Sequence, residues 1–526
     1  MKTFYLLVVF IFSAIALKAQ ERFFEFLPGW KNMYIAEKDN KYYSFGTTSD
    51  GISLNHYQFS SFTLTGEIID AWEFDLDTIS VLQSKYYNDV STVQQSNYIT
   101  GTFKGAVSEK FYGTLFKFNN NFSDTLGLYS FNILPGNGTQ IRSHLSVNSN
   151  KFILGGYLLD IDFNLYPSFM ETDSLGSIIW RKNFFCGSNC QLVPFHIAQA
   201  SDGGYFFTCA EVHNSGGSGA DFYEYTAIIK TDSLGNEQYR LHPGQPNLYA
   251  VRGWVLPTDD GNYITAYSDP MLGVLDENPQ INPDRAIWLY KYDIEGNTLF
   301  EESLIDFLPL SDFGNRFPYY ISQMIKTTDG NIVIVGNAGQ LFWGFILKVT
   351  QQGEPIWIRL IKFPPQSEGN DAGGEYTQVY GVTQTTDGGY IMAGEYFSSP
   401  GNIYPQGIQT AFAAKVDEYG CLEPGCQIGD GVAENTKANL GLKVFPNPAS
   451  ELINISVAES VKVKKVRVYE VMGRVVLVQA MYQSPQPPSP RGSSISVDVN
   501  NLSPGMYLLE VETRDGYREV KRLVIE

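Results

Sequence analysis

The chain has 526 residues, a formal charge of -19 and 14% aromatic side chains. A surface this acidic repels phosphate backbones, which excludes nucleic-acid binding as its business. The length calls for several domains or one large repeat array. Long apolar periods of 3.6 residues are missing, and runs such as Lys462-Val463-Lys464-Lys465-Val466-Arg467-Val468 keep the strand period of two, so the predicted class is all-β.

The first element is a targeting segment. Lys2 gives a positive end, Phe4 to Leu17 form an apolar run, and Leu17-Lys18-Ala19 offers a cleavage site. Crossing ~30 Å of hydrocarbon takes about 20 residues. The expectation is therefore a signal peptide at 1–19, removed to leave Gln20 first. No Cys follows the run to carry a lipid, and no other stretch is apolar enough for a transmembrane segment after removal.

Self-similarity organises the chain from there to residue 428. One recurring unit is a polar tight turn followed by a strand that ends in a small residue, as in Thr385-Thr386-Asp387-Gly388-Gly389-Tyr390-Ile391-Met392-Ala393-Gly394. Thr327-Thr328-Asp329-Gly330-Asn331-Ile332-Val333, Asp259-Asp260-Gly261-Asn262-Tyr263 and Ser201-Asp202-Gly203-Gly204-Tyr205 repeat it, with weaker copies at 149–155, 96–101 and 40–46. Their terminal positions fall at 46, 101, 155, 209, 267, 336 and 394, a period of about 58 residues.

A second unit interleaves with the first. Lys230-Thr231-Asp232-Ser233-Leu234-Gly235 has kin ending at Gly176, Gly296, Gly353 and Gly420. Four residues after the Gly stands an aromatic in four copies: Trp180, Tyr239, Phe300 and Trp357. Asp-Gly and Gly-Gly supply the positive φ of tight hairpins, and the turn Asp bonds backbone N–H groups two residues on. Two hairpins per period make a four-stranded sheet, and seven such sheets predict a seven-bladed β-propeller over 20–428. The aromatics are expected to fill the space between blades. Glu21-Arg22-Phe23-Phe24-Glu25-Phe26-Leu27 has no partner of its own, whereas the last repeat lacks its outer strand. The N-terminal segment is predicted to supply it and close the ring.

The five Cys divide into two close pairs and one single residue. Cys186 with Cys190, and Cys421 with Cys426, are spaced for small-loop disulfides after export. Neither pair has a His beside it, which disfavours zinc. Cys209 stands on an apolar strand and is expected in the core.

Residues 429–442 are small, polar and aperiodic, a linker. Residues 443–526 carry eleven Lys and Arg against nine Asp and Glu, unlike the acidic remainder, and are expected to form a small β-sandwich with a Pro-rich loop from Tyr482 to Ser494. This module resembles the type A C-terminal sorting domain of type IX secretion cargo. The matching stretches are Phe445-Pro446-Asn447-Pro448; Val468-Tyr469-Glu470-Val471-Met472-Gly473-Arg474; Leu502-Ser503-Pro504-Gly505-Met506-Tyr507; and Lys521-Arg522-Leu523-Val524. The resemblance implies export by the type IX machinery and frequent removal of the module by a surface sortase. It also implies attachment of the cargo at the outer membrane surface or its release. By the same resemblance Pro446, Asn447, Pro448, Gly473, Gly505, Tyr507, Lys521 and Arg522 are the sorting-motif residues.

Catalytic patterns are missing. His56, His144, His196, His213 and His242 are each isolated in sequence, and no nucleophile elbow, phosphate loop or dinucleotide fingerprint occurs in context. No cofactor is expected, although Asp75-Leu76-Asp77 and Asp160-Ile161-Asp162 offer carboxylates for Ca²⁺ at strand ends. The segments 313–320 and 395–404 combine Tyr and Phe with polar neighbours, a composition that stacks on sugars or anchors peptides, although core packing or ordinary loop content is the commoner role for any single one of these rings. The sequence thus points to a secreted or cell-surface binding protein for a glycan, peptide or surface protein. The alternative is a secreted hydrolase or lyase whose carboxylates converge at a channel mouth.

Overall fold

The computed structural model describes residues 22–525 except 30, 50–54, 75–78, 82–89, 94–95, 106–110, 120–124, 132–137, 149, 160–164, 188–189, 215–221, 244–252, 269–286, 305–306, 309–318, 339–342, 362–374, 399–407, 423–425, 427–441, 458–462, 471–474, 481–493 and 514–517. The expected signal peptide, the linker before Leu442, both candidate Ca²⁺ segments and Gly473 lie outside the described residues. Every regular element among the described residues is a β-strand. Contacts divide the chain into two units, Met1–Cys426 and Gln427–Glu526.

The two sequence units both become hairpin turns, and both close the same way. Thr385 N donates to Gly389 O at 2.9 Å and Gly388 N to Thr385 O at 2.9 Å; in the second kind Asp232 N donates to Asn236 O at 2.9 Å and Gly235 N to Asp232 O at 3.1 Å. Asp232 Oδ1 accepts from Leu234 N and Asn236 N, at 2.9 and 2.8 Å, which holds the turn without help from solvent. Gly235 is needed twice over. Its φ is 75°, and a Cβ there would stand 2.6 Å from the Trp180 ring of the preceding sheet.

The first unit is built of antiparallel sheets strung along the chain. Strands Lys31–Lys38, Lys41–Ser49, Asn55–Phe62 and Ile68–Phe74 form one four-stranded meander, and the same order recurs at 190–241, 253–303 and 319–361. Residues 79–183 make a nine-stranded sheet, whose 79–131 and 138–183 parts meet through Gly138 alongside Phe111. The last sheet joins Glu375–Gln384, Tyr390–Ser398 and Ile408–Val416 to Phe23–Leu27, with Phe23 opposite Lys415 and Leu27 opposite Ala411. The N-terminal segment is therefore the outer strand of the final sheet.

Middle strands are apolar on both faces because each sheet is covered by a neighbour on either side. All six residues of Tyr263–Ser268 are buried. Ile264 and Leu289 pack with Ile321, Ile334 and Leu347 of the next sheet, and Val333 and Ile346 pack with Tyr390, Met392 and Phe412 of the one after. Ile391 and Ala413 of the last sheet then pack with Ile35, Tyr42 and Phe62 of the first. Each buried Ile or Leu contributes roughly 1.5–3 kcal/mol. Sheets stacked face on face, last against first, are a β-propeller arrangement. The outer-strand aromatics sit where the sequence put them, between sheets: Trp180, Tyr239, Phe300 and Trp357 each lie against the turn glycine of the following sheet. Phe23 takes that same place against Gly66.

The second unit has a three-stranded sheet (Lys443–Phe445, Leu452–Ser456, Ser494–Asp498) and a four-stranded one. The latter contains Val475–Ala480, Val463–Glu470, Gly505–Thr513 and Arg518–Ile525. Ile453, Ile455 and Val497 of the first sheet share one core with Val466, Val468, Leu509, Val511 and Leu523 of the second.

Candidate functional site

In the C-terminal unit the separated motifs meet. The peptide bonds before Pro446 and Pro448 are cis, and Asn447 lies between them, exposed. Asn447 Nδ2 donates to Arg522 O at 2.7 Å and its Oδ1 accepts from Val524 N at 2.8 Å. Ala449 N donates to Val524 O at 2.9 Å. The first motif is thus stitched to the last. The third is stitched too, with Gly505 opposite Ile525 and Tyr507 opposite Leu523. Tyr507 is buried and gives its hydroxyl proton to Ser503 O at 2.7 Å. Pro446, Pro448, Gly505, Lys521 and Arg522 are exposed.

In the propeller unit the turns lie at one end of each sheet, and four of them repeat one ion pair. Lys230, Lys291, Lys348 and Lys415 point their ammonium groups at Asp202, Asp260, Asp329 and Asp387, at 2.7, 2.6, 2.7 and 3.0 Å. The lysines are nearly or wholly buried; Lys230 and Lys415 have no exposed side-chain surface. Burial works against ionising each Asp, but the lysine and the turn's own donors outweigh it and hold all four below the usual carboxylate range. The 138–183 sheet carries the reversed pair, Lys151 with Glu171 at 2.8 Å.

The same end is stapled from sheet to sheet. Asp259 N donates to Gln351 Oε1 at 2.8 Å, Thr328 N to Gln384 Oε1 at 2.7 Å, and Thr386 N to Glu37 Oε2 at 2.8 Å, the last joining final sheet to first. Asp259 also pairs with Lys326. A small cleft between turns is lined by Asp259, Asp260, Asp329, Asn331 and Gln351, all within this bonding. The first described strand of the unit begins here and its last strand ends here. Arg22 pairs with buried Asp417 at 2.5 Å, and Asp417 Oδ1 accepts from Tyr419 N and Cys421 N.

The opposite end of the 190–241 sheet holds a different cluster. Glu211 and His213 come from strand Tyr205–Asn214, Tyr225 from Phe222–Thr231, and Arg240 with His242 from the end of Glu237–Leu241. Glu211 lies opposite Tyr225 in register. It continues the apolar face of Phe207 and Cys209, which packs on Phe169 and Phe184 of the preceding sheet. His213 Nε2 is 2.8 Å from Glu211 Oε1 and His242 Nε2 is 2.9 Å from Oε2. Arg240 reaches Oε2 at 3.4 Å while bonding Glu237 and Phe185 O. Burial pushes the Glu211 carboxyl up, but the two histidines and Arg240 bring it down to about 2. Tyr225 stands between the imidazoles, 5.6 Å from each and edge-on to both.

A disulfide frames this cluster. Cys186 is joined to Cys190, and Cys421 to Cys426; Cys209 is buried and free. Cys190 Sγ lies 3.7 Å from His213 Nε2. The sulfurs of Cys186 and Cys190 lie within 4.8 Å of a Glu211 oxygen, but both are spent in the S–S bond and offer no thiolate to a metal.

The structure adds to two sequence readings. His213 and His242, isolated in sequence, share one carboxylate. The signal available was the strand period, which puts Cys209, Glu211 and His213 on one face. In the described parts of the aromatic segments the rings pack inward, as the core reading expects: Tyr319 and Tyr396 are each 1% exposed, and Phe397 stacks on Tyr376 at 4.9 Å. Strands Tyr319–Lys326 and Tyr390–Ser398 simply reach further than the loops allowed for. Phe185, at 65%, is more exposed than Phe445 at 50% and Tyr419 at 37%.

The fold and the stitched motifs define a propeller-like repeat protein with a separate C-terminal β module. Residues 443–526 match the family model of the secretion system C-terminal sorting domain. The chain is a cargo protein of the type IX secretion system, exported to the cell surface or secreted, and it engages that machinery. Among solved structures it is similar to the polysaccharide lyase Uly1 (11% identity, 75% of this chain and 91% of that one, TM-score 0.44). It is similar to the β-propeller domain of the Trilobed protease from Pyrococcus furiosus (10%, 72% and 96%, 0.37) and to the α-L-arabinanase from Penicillium chrysogenum (10%, 75% and 95%, 0.36). At these values they say nothing of activity. No protein of curated function matches the chain in sequence.

Proposed function

We propose that the protein is a non-catalytic binding protein of the cell surface or medium, a seven-bladed propeller in which the 79–183 sheet counts as two blades. Its ligand meets the end of the sheets opposite the Asp-Gly turns. One observation carries this reading. The turn end is consumed by sheet-to-sheet hydrogen bonds and by the Arg22–Asp417 pair, whereas at the other end the described strands break off at Ser268 and Ile361 and resume only at Ile287 and Glu375. Recognition loops belong on such an end of a rigid scaffold. The 443–526 module acts as the export address across a linker at 429–442 and is removed by a surface sortase, after a signal peptide at 1–19 is lost.

Displaying the full chain on an array of surface proteins, peptides and glycans tests the reading. Replacing 269–286 and 362–374 with short Gly-Ser loops should abolish the retained signal, and mutating Thr328 or Thr386 should leave it intact. A signal that follows the turn residues instead would sink the proposal. A secreted hydrolase or lyase is the second reading, favoured by Glu211 with two histidines and a tyrosine around it. Turnover of a polysaccharide or peptide panel, abolished by E211Q, would establish it in place of the first.

A further inference from the structure

We propose that the loop end of the 190–241 sheet is a saccharide subsite for a neutral glycan, formed by His213, Tyr225, His242 and Phe185. The inference rests on the binding reading above and names the ligand's chemistry. Three adjacent strands each place one ring at the same end of the same sheet face, in the row His213, Tyr225, His242. Side chains carried on strands hold position better than those on loops.

An ionised carboxylate only accepts hydrogen bonds, so both imidazoles donate to Glu211 through Nε2–H, which leaves Nδ1 of each ring for another partner. Those nitrogens are turned away from the buried carboxylate, on side chains 35% and 39% exposed. A buried acid thus orients two exposed rings that flank an aromatic, and leaves each Nδ1 facing away from it, an acceptor in the neutral ring and a donor in the protonated one. Sugar hydroxyls both donate and accept and so suit such nitrogens, and the C–H face of a pyranose suits an aromatic surface. Phe185 adds that surface. It is 65% exposed, its carbonyl is bonded by Arg240, and the next residue begins the Cys186–Cys190 disulfide loop.

Charge decides which glycan. Glu211 and Glu237 outnumber Arg240 at the cluster, and the chain as a whole carries -19, so uronate or sulfated polymers are repelled. Donor atoms also argue against a metal in this place. The two Nε2 atoms address different oxygens of one carboxylate with Arg240 beside them, and the cysteines are oxidised.

The test uses the full chain on immobilised xylan, mannan and β-glucan beside polygalacturonate and alginate, followed by calorimetric titration with oligosaccharides of whatever is retained. The expected result is retention on a neutral polymer. F185A and the double variant H213A/H242A should each weaken it about tenfold or more, a loss typical of central anchors, with unchanged thermal melting for F185A. In ¹⁵N spectra the Nδ1 resonances of His213 and His242 should move on saturation. Equal binding by wild type and both variants, or Nδ1 signals that stay still, would overturn the subsite while leaving a binding protein. Retention on acidic polymers alone, or on protein partners alone, would do the same. Turnover without retention would remove the binding reading itself, and the subsite with it.

Discussion

The two ends of the 190–241 sheet use the same kind of group in opposite ways. At the turn end Asp202 meets Lys230, and that pair recurs in three further sheets at nearly the same distance. At the other end Glu211 meets His213, His242 and Arg240, and among the described residues nothing repeats it. Recurrence marks the first as scaffold, because a group needed in every sheet serves what every sheet does, which is to stack. Singularity marks the second as a site. In an array of similar units, a polar cluster present once is the better guide to function than one present everywhere.

The comparison breaks most readily at its recurring half. D387A leaves the Lys415 ammonium buried without its carboxylate and should cost about 3–5 kcal/mol in chemical unfolding. D387A/K415M, which replaces the pair by apolar volume, should regain most of that, and neither change should alter ligand binding. If D202A and D260A are silent where D387A is severe, the four pairs are not one device. R22A strips a cation from Asp417, which is 1% exposed and keeps its backbone donors; about 1–3 kcal/mol should go, with amide exchange rising along residues 408–416.

E211Q sharpens the singular half. The Glu211 carboxyl titrates near 2 in the folded protein against 4.5 unperturbed. Its stabilisation is therefore present above about 4.5 and lost as pH falls toward 2. The variant should be less stable than wild type at pH 7, by about 1–2 kcal/mol, and the gap should narrow steadily below pH 4.5. A gap independent of pH would mean that Glu211 is not ionised there. Smallest is N447A in the C-terminal unit. It removes two hydrogen bonds to the final strand from an exposed side chain, together about 0.5–1 kcal/mol, and should speed exchange at Val524 and lower the yield of exported protein.

Much of the scaffold was legible because its turns need particular residues. Asp-Gly and the spacing of Asp232 from Gly235 have a local cause, and local causes show in sequence. The N-terminal strand was legible as a missing partner, by the mismatch between Glu21–Leu27 and a final repeat lacking an outer strand. Lys230 and its kin headed the second repeat, yet their pairing was hidden, since Asp202 lies 28 residues earlier and only the hairpin brings them together. Glu211, Tyr225 and His242 sit on three strands, so their meeting depends on register across two hairpins, which no local pattern states. The 138–183 sheet shows the other limit: with Glu171 and Lys151 exchanging signs, the ion pair survives while the motif that announces it is gone.

Arg22 and Asp417 stand 395 positions apart, yet their contact seals the last sheet. A chain emerging from its N-terminus carries the first half of that clasp from the outset and must wait for nearly every other sheet before the second half exists. Loop closure over such a distance is entropically slow relative to local hairpins. Until residues 408–416 arrive, the edge of Phe23–Leu27 has no lawful partner, and the array is an open stack with apolar faces at both ends. For a protein that must cross membranes before it works, completion is thus set by the final strand of the propeller to appear.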